Sequence, residues 1–268
     1  MPGITGFSAY LREKEMRQST ISRYTAILQK YNEYNGAVLQ KSALLGYKDE
    51  LIRAGKKPST VNQILAAIRM YGRYVGQTAE TKPVRVRRST TAENVITREQ
   101  YDSICTQLSA SGCTSQLVLV WLLARTGVRI SEAVRITKAD VLRGSAAMDT
   151  KRAVRTIQIP ACLRNDLSNL LETLENTDTV LRNRYGKPMS QRTAQQELHR
   201  IGTLCGIPQA VMHPHSFRHF FAINFLRNNG NIALLADLLG HQSINTTMIY
   251  LRMSQEQQQR AIDAAVDW

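Results

Sequence analysis

The chain has few cysteines and no long apolar segment. Its four cysteines form no Cys-x-x-Cys pair and have no histidine nearby at zinc-ligand spacing, which disfavours a structural zinc site. Reduced, buried thiols are expected instead at Cys105, Cys113, Cys162 and Cys205. No apolar run approaches the roughly 20 residues of a membrane span, and the first residues lack a basic and then apolar signal pattern. These absences predict a cytoplasmic protein.

Acidic residues are also scarce relative to basic ones. The 268 residues include 35 Lys and Arg against 21 Asp and Glu, so the formal net charge is +14. The excess is distributed as +6 over residues 1–80, +3 over 81–95 and +5 over 96–268. This spread favours a polyanionic partner that is contacted along most of the protein, such as nucleic acid. Because many basic proteins bind no nucleic acid, charge alone leaves that alternative open.

Apolar residues recur at helical spacing in residues 1–80. Ser19 and Thr20 are expected to cap a first helix, and a second is expected from Ala43 to Ala54. A third is expected to begin at Pro58 and to end near Gly76. The pattern predicts a small all-helical domain.

Residues 77–95 contain a proline, several threonines and alternating basic residues, without an apolar helical face. This composition predicts an interdomain linker, with its basic part at 81–95. Several basic side chains of the linker and of the preceding helices are candidate phosphate contacts, with a solvated surface as the alternative reading. They are Lys56, Lys57, Arg69, Arg73, Arg85, Arg87 and Arg88.

Residues 96–268 indicate a larger domain. Thr97 and Gln100 fit a capping box, and the apolar run 117–124 predicts a helix. A new helix is expected from about Ser131, which places Arg129 at a helix start. Strand-prone sequence is confined to Val141–Pro160, and a short last helix is expected at 254–268. The predicted fold class is mainly α with a small β-sheet or hairpin, in two domains.

Within thirty-six residues the chain places His215-Ser-Phe-Arg218, then Leu-Leu-Gly-His241, then Tyr250. Two imidazoles, a guanidinium and a phenol suit attack on a phosphodiester. Arginine suits phosphate because its planar fork donates two parallel hydrogen bonds and stays charged. Each of these residue types is common alone: a lone tyrosine is usually a core or surface aromatic, and a lone arginine usually forms a structural ion pair.

Upstream lies Thr-Gly-Val-Arg129-Ile-Ser-Glu132, and Lys151 stands just before a strand-like run. These separated motifs, in this order, resemble the tyrosine recombinase (phage integrase) family over nearly the whole chain. The resemblance implies a helical core-binding domain at 1–80 and a tyrosine recombinase catalytic domain at 96–268.

The resemblance also implies roles for these residues. Tyr250 attacks the scissile phosphate to give a 3′-phosphotyrosine link, and His215 accepts its proton. The nonbridging oxygens are bound by Arg129, Arg218 and His241, while Glu132 orients Arg129. Lys151 protonates the departing 5′ oxygen, and Arg152 and Arg155 beside it are candidate DNA contacts.

The implied partner is double-stranded DNA with paired inverted half-sites, bound by dimers that join into tetramers. The helix at 254–268 packs either on its own domain or on a neighbouring subunit. No metal or nucleotide cofactor is expected. The chain shows no further N-terminal arm-site domain, although removal of such a segment would leave the same sequence. Alternatives are a type IB topoisomerase, which shares this chemistry, and a catalytically silent DNA-binding family member.

Overall fold

The computed structural model describes residues 3–36, 38–77, 80–85, 94–150, 153–240 and 247. The chain divides into two compact units, Met1–Arg88 and Ser89–Trp268. Both units are built mainly from helices, and the second also contains a two-stranded antiparallel sheet. The predicted fold class, mainly α with a small hairpin, is confirmed.

The described residues of the first unit form four helices around one apolar core. They are α1 (Ile4–Glu13), α2 (Gln18–Asn35), α3 (Lys41–Arg53) and α4 (Pro58–Tyr74). Pro58 is at the first position of α4, where its missing N–H costs nothing and its fixed φ suits a helix. The predicted cap at Ser19 and Thr20 is wrong, because α2 begins at Gln18 after Arg17 and both residues lie in its first turn. Helix α1 was not predicted.

The first residues of the predicted linker pack on this unit. The side-chain amide of Asn62 donates to the carbonyl of Val84 over 2.9 Å, and its oxygen accepts the N–H of Val84 at 2.8 Å. Lys48 Nζ donates to the carbonyl oxygen of Lys82 at 2.8 Å, and Thr81 is buried. Residues 81–85 therefore belong structurally to the first unit, beyond the predicted boundary at residue 80.

The second unit begins with α5 (Arg98–Ala110), whose predicted capping box between Thr97 and Gln100 is confirmed. Its other elements follow in chain order. They are α6 (Thr114–Thr126), α7 (Ile130–Ala133), α8 (Lys138–Arg143), β1 (Ser145–Thr150), β2 (Ala153–Gln158), α9 (Ala161–Asp166), α10 (Ser168–Glu172), α11 (Gln191–Leu204), α12 (Pro214–Asn229) and α13 (Ile232–Leu239). The strands pair from Ser145 opposite Gln158 to Thr150 opposite Ala153.

Helix α6 lies at the centre of the second unit. Eight of its thirteen residues are buried, because α5, α11 and α12 pack around it. Helix α12 also packs on α13, and α13 contacts β2. The ends of α6 and α13, the start of α7 and the middle of β2 are thereby brought close together.

The described residues give information on the cysteines, on possible metal sites and on possible membrane-spanning helices. All four cysteines are free, but only Cys205 is buried and Cys162 is exposed, so the expectation of buried thiols was too broad. Within the described ranges no group of three or more His, Cys, Asp or Glu could hold a metal ion. No described helix is long and apolar enough to cross a membrane.

Candidate active site

Arg129 lies at the turn between α6 and α7. Helix α6 ends at Gly127 in the left-handed conformation, with a φ of 60° that side-chain-bearing residues rarely adopt. A Cβ at Gly127 would also collide with Phe221 and Leu239. Arg129 then takes the N-cap position of α7. The prediction that Arg129 stands at a helix start is confirmed.

Arg218 lies on α12, one turn after His215, and is buried. Its guanidinium Nη1 donates to the carbonyl of Gly127 over 2.8 Å, and Nη2 donates to the carbonyl of Leu239 over 2.5 Å. These two carbonyls belong to the C-terminal ends of α6 and α13, where the helix dipole concentrates partial negative charge. Arg218 therefore joins three helices and points its charge to the place where they meet.

Three arginines donate to three successive carbonyls at the end of α13. Arg155 Nη2 donates to Leu238 at 2.6 Å, Arg218 to Leu239, and Arg129 Nη2 to Gly240 at 3.2 Å. The three come from β2, α12 and the start of α7. Arg129 and Arg218 are 89 positions apart in the sequence. The structure thus brings Arg129 and Arg218, the two arginines that the motifs singled out, to one location.

Glu132 supplies the negative charge of this cluster. Its carboxylate is buried and accepts from Arg129 Nη1 at 3.0 Å, from the Arg129 backbone N–H at 3.0 Å, and from Arg155 Nη1 at 3.2 Å. The predicted orienting role of Glu132 toward Arg129 fits this geometry. Two guanidiniums pair with this one carboxylate, and Arg218 binds the adjacent carbonyl of Leu239, so the cluster carries excess positive charge. The Arg129 side chain is 40% exposed, which gives an anion access to that charge.

The structure does not place Arg155 on the surface, where its prediction as a DNA contact would put it. Its side chain is only 8% exposed and is held between Glu132 and α13. Burial lowers the pKa of the Arg155 guanidinium, the carboxylate of Glu132 raises it, and the neighbouring Arg129 lowers it further. Along β2, Arg155, Ile157 and Ile159 are buried while Thr156 and Gln158 are exposed, so the strand alternation places Arg155 on the buried face. This burial and internal pairing disfavour the predicted direct contact with DNA phosphate.

The histidines at the start of α12 occupy different environments. His213 is the N-cap, and its Nδ1 accepts the N–H of Ser216 at 3.1 Å, which gives it a structural task. His215 is exposed, so its imidazole is accessible to a bound substrate. Burial, together with the charges of His215 and His213, lowers the pKa of His219 to about 4. His219 is therefore neutral near pH 7.

The first-unit candidates lie on its surface. Lys56, Lys57, Arg73 and Arg85 are exposed and Arg69 is half-buried, and none of the five forms an ion pair with another described residue. Other predicted site residues fall outside the described residues. They are Arg87, Arg88, Lys151, Arg152, His241, Tyr250 and the helix at 254–268. Their roles stay predictions.

Replacing Glu132 by glutamine is expected to lower the free energy of unfolding by about 3–5 kcal/mol. The amide keeps the shape of the side chain but leaves the buried Arg155 without a counterion. Denaturant unfolding followed by circular dichroism measures the change. Glu197→Gln is the matched control, because its partner Arg200 is 68% exposed and such pairs contribute less than about 1 kcal/mol. Equal losses of unfolding free energy in the two variants would show that Glu132 does not stabilise the buried charge of Arg155.

The sequence of the second unit matches a known family. Residues 94–257 match the Phage integrase family. Among curated proteins, the chain is 29% identical over 279 residues to the tyrosine recombinase XerA of Thermococcus onnurineus strain NA1, covering 98% of this chain and 94% of that protein. It is 32% identical over 142 residues to the tyrosine recombinase XerC of Rickettsia bellii strain RML369-C, covering 51% of this chain and 46% of that protein.

The fold is also similar to solved structures. The Tn1549 transposon integrase in complex with transposon right end DNA matches with a TM-score of 0.75 at 13% identity, covering 98% of this chain and 99% of that one. A lambda integrase dimer bound to a core site matches with a TM-score of 0.73 at 16% identity, covering 93% and 76%. At these identities the likeness concerns the fold.

Proposed function

Because the chain belongs to the phage integrase family of tyrosine recombinases, it is a site-specific DNA recombinase, and we propose that it cuts and rejoins DNA through a 3′-phosphotyrosine intermediate. The observation that supports this most directly is the convergence of Arg129 and Arg218 on the adjacent carbonyls of Gly240 and Leu239. Two guanidiniums that meet there, with Arg129 40% exposed, suit a phosphate whose oxygens gain negative charge during the reaction.

Arg129 has donors left for a substrate. A guanidinium carries five N–H groups, and the side chain of Arg129 uses two of them on Glu132 Oε1 and the carbonyl of Gly240. The bonds to Glu132 and to the helix end fix the plane of the fork before DNA arrives. A preorganised donor of this kind costs no rearrangement when charge develops in the transition state.

The remaining steps use residues placed by their motifs. Tyr250 loses its phenolic proton to His215, and its oxygen attacks phosphorus while His241 hydrogen-bonds a nonbridging oxygen. The bond from phosphorus to the 5′ oxygen breaks, and that oxygen takes a proton from Lys151. The energy of the phosphodiester is kept in the phosphotyrosine link, so the 5′ hydroxyl of a partner strand reverses the reaction without a nucleotide cofactor.

DNA binding is divided between the two units. We assign the first unit to sequence-independent contacts with phosphates through Lys56, Lys57, Arg69, Arg73 and Arg85, whose side chains form no ion pair with any described residue. A lambda integrase, similar in fold, is a dimer on its core site. By analogy, this chain pairs on inverted half-sites, exchanges strands as a tetramer through a Holliday junction, and works in the cytoplasm.

The proposed chemistry is tested with a nicked suicide duplex that carries the site recovered by selection from random DNA. The nicked strand loses a short fragment after cleavage, so the covalent complex accumulates. We expect an SDS-stable protein–DNA adduct whose yield is the same with and without EDTA. If the intact protein forms no adduct, the proposed chemistry is wrong and the protein only binds DNA.

A plasmid without the selected site separates recombination from topoisomerase chemistry. We expect no efficient relaxation of its supercoils, because cleavage requires paired half-sites. Neither a type IB topoisomerase nor a silent DNA-binding protein gains support from the comparisons. Efficient site-independent relaxation by the monomer would overturn the assignment.

A further inference from the structure

We propose that Arg155 is a positioning residue that ties the β1–β2 hairpin to the phosphate-binding arginines. This role rests on the proposed function, because it concerns how the same site is assembled. Arg155 reaches two elements at once: Nη1 donates to Glu132, and Nη2 donates to the last turn of α13. It acts through Glu132 on Arg129 and through the end of α13 on the segment that follows.

The first support is the shared carboxylate. Glu132 accepts from Arg129 and Arg155, so the position of the carboxylate depends on both. The side chain of Arg129 is 40% exposed, whereas that of Arg155 is 8% exposed and lies on the buried face of its strand. Arg155 therefore fixes Glu132 from the buried side, and Glu132 orients Arg129 toward the open side.

The second support is the close approach at Gly240. The backbone there is left-handed, with a φ of 60°, and a Cβ would lie 3.0 Å from Arg155 Nε. The stem of Arg155 thus packs directly against the residue that precedes His241 in the sequence. The absence of a side chain at Gly240 lets Arg155 pass and reach the carbonyl of Leu238.

The third support is that burying the guanidinium of Arg155 costs desolvation free energy. Its Nε has no hydrogen-bond partner among the described residues, and desolvation lowers its pKa. An apolar side chain of similar size would fill the same space without these costs. What only an arginine supplies is donation in two directions from one rigid plane. In the sequence, Arg155 also lies four residues after Lys151, the residue proposed as the acid.

The test compares Arg155→Met and Arg155→Lys with the control Arg125→Met. Arg125 is a partly buried arginine of the same unit that pairs with Asp166 and donates to Tyr101, away from the end of α13. Single-turnover cleavage of the suicide duplex, DNA affinity and thermal unfolding are measured for each protein. We expect cleavage to fall by about tenfold to a hundredfold in both Arg155 variants, as for a small misplacement of reacting groups. Affinity should stay within about twofold, and the control should cleave at the wild-type rate.

Arg155→Lys discriminates between position and charge. A lysine keeps the positive charge but has one compact head group that cannot hold Glu132 and Leu238 together. Wild-type cleavage by Arg155→Lys, or by Arg155→Met, would overturn the positioning role. Loss of affinity in parallel with cleavage, with a shallower salt dependence, would restore the direct phosphate contact instead.

Hydrogen exchange gives a readout that needs no DNA. Amides in the last turn of α13 are expected to exchange faster in Arg155→Met than in the wild type and in Arg125→Met, and unchanged exchange would contradict the proposal. The wild-type adduct serves as the internal reference for cleavage. If the wild type forms no adduct, the proposed function fails, while exchange still decides whether Arg155 holds the end of α13.

Discussion

A Tyr250→Phe variant is expected to bind its DNA site with wild-type affinity and to form no covalent adduct. Phenylalanine keeps the ring and removes the only oxygen that can become the nucleophile, so the chemical step has no substitute path. The arginine cluster that binds the phosphate stays intact, because Arg129, Arg155 and Arg218 are held by Glu132 and by backbone carbonyls. Gel-shift titration measures binding, and SDS electrophoresis of the suicide duplex measures the adduct.

Tyr185→Phe is the matched control for this loss. Tyr185 belongs to the same unit, is 70% exposed, and its hydroxyl and ring contact the neighbouring Arg184. Its variant should form the adduct at the wild-type rate. A covalent band of normal intensity from Tyr250→Phe would remove that residue from its role.

The second large effect is expected for Arg218→Lys, with cleavage reduced by about a hundredfold to a thousandfold. The guanidinium of Arg218 bridges the carbonyls of Gly127 and Leu239 at the ends of two helices. A lysine ammonium cannot span both carbonyls and also present a planar pair of donors to a phosphate. Single-turnover cleavage measures the loss, with DNA affinity measured alongside.

Arg227→Lys controls for the arginine-to-lysine change on the same helix, because Arg227 is exposed in the last turn of α12. It should cleave normally. Thermal unfolding of Arg218→Lys shows whether the fold survives, since Arg218 is buried. If the folded variant cleaves within about tenfold of the wild type, Arg218 is a structural link between helices and the clamp has to be sought elsewhere.

The motifs predict the candidate site, and for some residues the local sequence alone also predicts the backbone structure around them. Gly127 after an apolar helical run marks a helix end, so Arg129 had to follow at the start of the next helix. Thr97 and Gln100 satisfy each other's backbone within four residues, which makes the capping box readable without tertiary contacts. The fold class followed from the same local patterns.

The basic residues around Arg155 predict a DNA contact, whereas the strand period of the same segment predicts a buried side chain. Strand alternation puts it in phase with Ile157 and Ile159, and the structure buries all three. The structure follows the strand period, because Glu132, 23 positions upstream, balances the charge of Arg155. Such a partner is a tertiary contact that no local pattern predicts.

The resemblance implies that Arg129 and Arg218 meet at one phosphate, but no local pattern predicts the convergence of three arginines on the carbonyls of residues 238–240. It depends on the packing of α12 against α6 and α13 and of α13 against β2, which join segments far apart in the chain. The wrong cap at Ser19 and Thr20 has a different cause. Side-chain capping contributes only about 0.5–2 kcal/mol, and α2 begins at Gln18 without a side-chain cap.

The most direct test of the account is to identify the atom that carries the DNA. Trypsin cuts after Arg227 and Arg252, which releases a peptide of residues 228–252 whose only tyrosine is Tyr250. Mass spectrometry of the nuclease-trimmed adduct should find the nucleotide on this peptide, joined through its 3′ phosphate to the Tyr250 oxygen. A nucleotide on any other peptide, or a linkage through a 5′ phosphate, would contradict the proposed chemistry.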